Sequence, residues 1–380
     1  MAKLRDHNED DGAGDGVAGE RRRGRGATSN RSGRFEVEAH EPFDDGWQSA
    51  QSLAPFATEV QLERARRIVT YNQSPDIAFD RSINPYRGCE HGCIYCYARP
   101  SHCFLGLSAG LDFETKLFAK PDAAALLRRE LAAPGYQPQA IALGANTDPY
   151  QPIERGHRLT RQILEILAQT RHPVIVVTKS ALVERDIDIL AEMAAQGLAG
   201  VAISITTLDR GLARRMEPRA STPAKRLGAL EALARAGVPT TVLVAPVIPA
   251  LNDSEIEDIL ASAADAGARS ANFILIRLPL EVRDLFRDWL REAFPDRAAK
   301  VMSLIRSTRG GADYETDWHV RQRGRGAYAA QIEARFKLAR GRFGLAGESL
   351  ELRTDLFRKP PTERARDAGQ LDLFGQKQRS

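Results

Sequence analysis

From about Gln139 the chain alternates between two patterns. Short, continuous apolar runs rich in β-branched residues occur at Ala140–Leu143, Val174–Val177, Val201–Ile205, Thr240–Val244 and Phe273–Ile276. Between them, Leu159–Gln169, Asp186–Ala195, Ala224–Ala236 and Glu255–Ala264 read as amphipathic helices, with another at Glu281–Phe294 after the last run. Gly197, Gly200, Gly237 and Gly267 stand where helices should stop. Uninterrupted apolar strands separated by helices predict a parallel sheet with covered faces. A strand near Ile77–Ile83 and a helix near Ala123–Leu131 bring the count to about six units. Right-handed crossovers build either an open doubly wound sheet or a barrel, and about six units fall short of a closed eight-fold barrel. The expected fold is α/β, a partial (β/α)6 TIM-type barrel.

In both architectures ligands bind at the carboxyl ends of the strands. Unusual polar residues cluster there. Cys89, Cys93 and Cys96 follow the first strand and Asn146-Thr147-Asp148 the second. Thr178-Lys179-Ser180, Ser204-Ile205-Thr206-Thr207 and Ala245-Pro246-Val247-Ile248 follow the next three.

The 380 residues include 54 basic and 50 acidic side chains, a formal net charge of +4. A hydrophobic fraction of 43% excludes wholesale disorder, and 4 cysteines cannot staple a chain this long. No apolar run approaches the roughly 20 residues that span a bilayer, and the start lacks a signal-peptide core. A soluble, cytoplasmic protein with reduced thiols and no membrane partner is expected. Residues 1–55 read as a low-complexity arm, mobile up to about Gly33, with Arg21-Arg22-Arg23-Gly24-Arg25-Gly26 serving solubility or phosphate binding. Residues 56–310 form the expected core, 311–358 a basic helical extension and 359–380 a flexible tail.

The segment Asn84-Pro85-Tyr86-Arg87-Gly88-Cys89-Glu90-His91-Gly92-Cys93-Ile94-Tyr95-Cys96-Tyr97 spaces three thiols as C-x3-C-x2-C. Gly88 and Gly92 permit the tight backbone that points them at one centre. Three thiolates leave one position open on a metal centre, the arrangement that permits chemistry. A zinc site completed by His91 or His102 is the alternative.

This loop, with Tyr95 just before its last cysteine, resembles the radical S-adenosylmethionine (SAM) superfamily. The resemblance implies a [4Fe–4S] cluster on Cys89, Cys93 and Cys96, with SAM on the fourth iron. It further implies an external one-electron reductant and cleavage of SAM to a 5′-deoxyadenosyl radical. Val177-Thr178-Lys179, Ser204-Ile205, Glu217-Pro218, Pro223-Ala224-Lys225-Arg226 and Val244-Ala245-Pro246 extend it toward spore photoproduct lyase and its DNA-repair-photolyase-like relatives. That similarity points to Lys179 and Ser204 as SAM contacts, and to Tyr95, Val244 and Ala245 beside the adenine. It places Asp148 toward the SAM amino end, and Arg219 suits the carboxylate. The lyase carries a hydrogen-donating cysteine where this chain has Gly144-Ala145-Asn146, so lyase-type dimer reversal is not expected. Cys103, beside His102, reads as a small buried hydrophobe rather than a radical relay.

Gln370-Leu371-Asp372-Leu373-Phe374 resembles the pentapeptide by which bacterial repair proteins bind the DNA sliding clamp, with Gln370, Leu371, Leu373 and Phe374 as contacts. A strap folding back on the barrel is the alternative. Arg306, Arg309, Arg321, Arg323, Arg325, Arg335, Lys337, Arg340 and Arg342 interleave with Trp318, Tyr328, Phe336 and Phe343, as either a nucleic-acid path or a solvated helix face. The expected function is a radical SAM enzyme acting on nucleic acid. Radical modification of tRNA or a protein, and a non-catalytic metal-stabilised nucleic-acid-binding module, are the alternatives.

Overall fold

The computed structural model describes residues 22–36, 54–318, 320–347 and 351–361. Gln370, Leu371, Leu373 and Phe374 lie outside the described residues.

The strands are β1 (Glu59–Leu62), β2 (Val69–Tyr71), β3 (Arg81–Ile83), β4 (Tyr86–Arg87), β5 (Lys116–Ala119), β6 (Ile141–Leu143), β7 (Val174–Thr178), β8 (Ala199–Ser204), β9 (Thr240–Val247) and β10 (Ser270–Leu275). The helices are α1 (Asp112–Thr115), α2 (Ala123–Leu131), α3 (Glu154–His157), α4 (Leu159–Gln169), α5 (Ile187–Ala194), α6 (Arg210–Met216), α7 (Pro223–Arg235), α8 (Ile256–Asp265), α9 (Glu281–Ala293), α10 (Pro295–Ser307) and α11 (Ala327–Arg342).

A seven-stranded sheet runs β10-β9-β8-β7-β6-β3-β2. Every neighbouring pair in it is parallel except β2 with β3. The parallel strands β3 and β6–β10 give the six units read from the apolar runs. Their β-branched side chains pack with the buried faces of α2, α4, α7 and α8 in one core. β8 is buried at every residue, as expected of a central strand covered on both sides.

Among the described residues no ladder joins β10 to β2, so the barrel is open there. The gap is bridged instead by the segment after α10. The Gln322 carbonyl accepts from Leu275 N (2.8 Å) at the end of β10. From the same segment, Arg321 holds the Asp76 carboxylate through two nitrogens at 2.6 and 2.5 Å, and Gln322 Nε2 donates to the Asp76 carbonyl at 2.8 Å. Asp76 lies on the β2–β3 connection, so this clasp links the two edges of the sheet.

The basic extension is mostly committed to the fold. α11 buries Ala329, Ile332, Phe336 and Ala339 at helical spacing, and Phe336 packs on Phe273 of β10 (ring centroids 4.7 Å apart). Arg335 pairs with Glu257, Arg306 with Asp313 and Arg325 with Glu315, while Arg309 is buried against backbone carbonyls. Tyr328 bonds Asp253, and Arg323 lies over the Phe273 ring. These contacts engage Arg306, Arg309, Arg323, Arg325 and Arg335 within the fold.

The N-terminal expectation needs a correction. Residues 22–36 do not behave as a free arm, because Arg25, Gly26, Ala27, Thr28 and Ser29 are buried. Gly26 N and Ala27 N donate to the Glu114 carboxylate at 2.9 and 2.8 Å, and Arg25 donates to the Glu114 carbonyl at 3.0 Å. Gly26 and Gly33 serve close approach. A Cβ on Gly26 would collide with the Gly92 carbonyl. Residues 1–21 and 37–53 lie outside the described residues.

Candidate active site at the cysteine loop

The loop after β3 is held from several sides. Asn84 Oδ1 accepts from Asn146 N (2.8 Å), and Thr147 Oγ1 donates to the Tyr86 carbonyl (3.0 Å). Gln151 accepts from Glu90 N at 2.8 Å and donates to the Gly88 carbonyl at 3.2 Å. Gly88 and Gly92 have φ of 71° and 67°, the left-handed region in which a side chain is strained. A Cβ would also meet Leu117 at 2.6 Å from Gly88, and the Glu114 carboxylate at 2.6 Å from Gly92.

Beneath the loop lies Arg99, fully buried, with its charge consumed by backbone and Glu114. Its Nε donates to the Cys93 carbonyl (2.9 Å), Nη1 to the Ala109 and Gly110 carbonyls (3.0 and 2.9 Å), and Nη2 to Glu114 (2.5 Å). Glu114 therefore joins Arg99 to the N-terminal segment, and that segment covers one side of the loop.

Burial pushes the Cys89 and Cys93 thiols well above their usual range, helped by Asp148 beside Cys89 and Glu217 beside Cys93. Cys96 is raised by burial too, with Arg99 opposing. Three thiols, two buried and Cys96 partly so, that resist ionisation yet share one loop suit a cationic metal centre that compensates thiolate charge. Each of the two histidines considered as a fourth zinc ligand has one ring nitrogen engaged, while His102 Nδ1 is buried without a hydrogen-bond partner. His91 Nδ1 lies 3.4 Å from Asp148, and His102 Nε2 meets the Lys116 carbonyl at 2.8 Å with its ring edge-on to Phe113. Cys103 is fully buried, as a small hydrophobe would be.

The strand ends bring Tyr95, Lys179, Ser204 and Ala245 into one network. Lys179 Nζ donates to the Ala245 carbonyl (3.1 Å), lies 3.8 Å from Glu217 and sits 5.8 Å from the Tyr95 ring centroid. Burial brings its pKa down to about 8. Glu217, with no exposed surface on its side chain, accepts from Tyr95, from Thr206 Oγ1 (2.6 Å) and from Arg226. Arg226 in turn donates to the Ser204 carbonyl at 3.1 Å. Val244 is buried in the barrel core.

Two expected SAM contacts already have partners. Asp148 Oδ1 accepts from Thr178 Oγ1 (2.7 Å) and Tyr150 N (2.9 Å), and Oδ2 from Lys179 N (2.7 Å). These bonds and His91 hold its carboxyl below the usual range against its burial. Arg219 stands at the rim, paired with Glu90 at 2.7 Å. Sequence reasoning missed Glu217, Arg226 and Glu114 as organisers of the site. The first two stood inside the motifs already singled out, but nothing local marks their burial.

The family model of the radical SAM superfamily matches residues 83–263, which contain the loop and most of the strand ends. An uncharacterized protein of Mycobacterium tuberculosis is 38% identical over 240 residues, covering 62% of this chain and 71% of the relative. This chain belongs to the radical SAM superfamily. Its fold is similar to that of a spore photoproduct lyase mutant, with a TM-score of 0.53 over 84% of this chain and 88% of that one, at 15% identity. A second lyase mutant, with bound AdoMet and dinucleoside spore photoproduct, aligns at a TM-score of 0.52 and 16% identity, over 77% and 82% of the two chains. As a radical SAM enzyme the chain uses a [4Fe–4S] cluster and SAM. The residues present fit both groups: a glycine-cradled trio of thiols, and beside it the Lys179 amine at the end of β7 and the Ala245 carbonyl on β9, with β8 between them.

Proposed function

We propose that Cys89, Cys93 and Cys96 hold the cluster, that SAM lies against Tyr95, Lys179, Ser204, Val244, Ala245 and Arg219, and that the enzyme acts on nucleic acid in a repair-like reaction. With both groups bound, the site supplies one-electron reductive cleavage of the SAM sulfonium, driven by an external reductant. The chain's own residues prepare it. Lys179, held on the Ala245 carbonyl, supplies a cation that contacts SAM near the adenine side, while Arg219 suits the carboxylate. Glu217 fixes the Tyr95 phenol and thereby the wall of the adenine pocket. Asp148 orients Lys179 through its backbone nitrogen. The buried loop and the segment over it exclude water from a reactive radical. The observation that carries this reading is the placement of three thiols on one loop, Cys93 and Cys96 nearest Lys179, at the carboxyl end of a partial barrel.

The nucleic-acid half rests on fold likeness to a lyase whose bound ligand is a dinucleoside spore photoproduct. Against strict lyase chemistry stands Gly144-Ala145-Asn146, which offers no thiol to return hydrogen. That absence keeps radical modification of tRNA or a protein as the second reading. The sequence from Gln370 to Phe374 supports delivery by the bacterial sliding clamp.

The test is made on anaerobically purified protein. Iron and acid-labile sulfide, with 5′-deoxyadenosine formed from SAM on reduction, are expected; zinc alone would end the enzyme reading. Turnover is then compared on ultraviolet-damaged DNA, undamaged DNA and tRNA, and turnover confined to tRNA would move the protein to the second reading. Full-length protein should bind the clamp, and unchanged binding after Leu373→Ala with Phe374→Ala would reject that partner.

A further inference from the structure

Arg277 follows β10 by two residues and stands at the same end of the barrel as the cysteine loop. Its guanidinium carbon lies 5.0 Å from the ring centroid of Tyr97, the residue directly after Cys96. Tyr97 is 44% exposed, and its hydroxyl is fixed on the Ala145 carbonyl, so its ring faces outward beside the loop. The side chain of Arg277 is poorly satisfied. Nη2 reaches Tyr314 Oη only at 3.5 Å, and Nε is buried with no hydrogen-bond partner. Among the described residues no carboxylate pairs with it.

Its surroundings do not supply the missing charge. Asp76 is near enough to feel Arg277, but both of its oxygens are held by Arg321. Glu315 is paired with Arg325. Arg309, behind Arg277, is buried with its Nη atoms on the Val320 and Ile276 carbonyls (2.7 and 2.9 Å). The nearby carboxylates, Asp76 and Glu315, are thus already used by Arg321 and Arg325. Arg226 and Arg99, by contrast, are buried against Glu217 and Glu114. A buried donor without a partner costs about 1–3 kcal/mol, which a fold retains where a ligand supplies the acceptor.

We propose that Arg277 binds a backbone phosphate of the nucleic-acid substrate while Tyr97 and Tyr314 flank the adjoining nucleoside, at the mouth of the barrel. This rests on the nucleic-acid reading given above and adds the contact that places the strand. A guanidinium fork matches the paired oxygens of a phosphodiester, and exposed aromatic rings beside it give a base a face to stack on. Tyr97 is the exposed member of the site, with Arg277 and Tyr314 half-buried beside it.

The experiment measures binding of a fluorescein-labelled single-stranded DNA oligonucleotide to anaerobic, cluster-loaded protein by anisotropy across a salt series. SAM binding and thermal unfolding are followed in parallel. Arg277→Gln should weaken the oligonucleotide about tenfold, the loss of one charge-assisted bond. It should also reduce the magnitude of the log–log salt slope by about 0.7, one phosphate contact on a single strand. Arg277→Lys, which keeps the charge but loses the fork, should restore the slope and only part of the affinity; it also serves if the glutamine variant folds poorly. Wild-type binding that matches Arg277→Gln in affinity and slope would overturn the inference while leaving the nucleic-acid reading intact. Loss of SAM affinity with oligonucleotide affinity unchanged would also overturn it, assigning the guanidinium to SAM. No oligonucleotide binding by active wild-type enzyme would remove the nucleic-acid reading and this contact together.

Discussion

Glu217 accepts the phenolic proton of Tyr95, so the end of α6 is tied directly to the residue that precedes the last loop cysteine. Arg226 completes the link from α7, and Thr206 joins from the end of β8. The two halves of the site, the thiol loop and the strand-end surface around Lys179, share this one buried carboxylate.

Neutralising that carboxylate should be expensive. Glu217→Gln leaves Arg226, 2% exposed, without its counter-charge, and breaking one side of a buried pair costs roughly 3–5 kcal/mol. The urea midpoint should fall accordingly. Glu217→Gln combined with Arg226→Met should recover much of the loss, because no charge is then stranded. A double variant as unstable as the single one would show that packing rather than charge carries the effect.

The sequence and structure agree best where the signal is periodic. Thr240–Val247 and Leu159–Gln169 announce themselves through apolar spacing, and both form as read, the strand running three residues further. The thiol loop was legible because C-x3-C-x2-C is a local pattern. The covering segment at Arg25–Ser29 was not, since its anchor Glu114 lies nearly ninety residues away. Glycine and arginine there resemble a solvated tail until that anchor is seen. The Arg321–Asp76 clasp was hidden for the same reason: two charged residues 245 positions apart carry no shared pattern.

Two glycines with the same backbone angle separate strain from space. Gly92 and Gly106 both have φ of 67°, but nothing lies within 4 Å of a Cβ at Gly106. Gly106→Ala should lose about 1 kcal/mol of stability and keep its iron. Gly92→Ala carries the same strain and also drives a methyl to 2.6 Å from the Glu114 carboxylate, which cannot retreat from Arg99. Its iron and acid-labile sulfide content should drop severalfold. Equal metal content in the two variants would contradict the cradle described for the loop.

The segment over the loop can be probed with trypsin. Arg25 is 7% exposed and its side chain is held by Glu114, Phe56 and Thr58, so the bond after it is protected. Gly26→Val must push the segment off the Gly92 carbonyl. Cleavage after Arg25 should then rise about tenfold or more, as a local opening stabilised by some 1.4 kcal/mol or more is lost. Cleavage at Arg25 that is equally slow in the variant would mean the segment tolerates the side chain in place.

At the far end of the barrel, His172 makes stability pH-dependent. It is fully buried between Tyr136 and Phe357; Nε2 lies 2.7 Å from the Tyr136 hydroxyl and Nδ1 3.0 Å from the Pro173 carbonyl. With Nδ1 donating to the carbonyl and Nε2 accepting from the phenol, neutral imidazole satisfies both contacts. Burial lowers its pKa from 6.5 to about 4. Between those values the unfolded chain binds the proton and the folded chain does not, so stability rises with pH across the window. The contribution is complete above pH 6.5 and is lost as pH falls toward 4, amounting to about 3 kcal/mol at 1.36 kcal/mol per unit. Unfolding free energies of His172→Phe should lack this component of the slope, although the variant forfeits both hydrogen bonds and starts less stable. A wild-type slope that survives the substitution unchanged would assign the acid sensitivity to other groups.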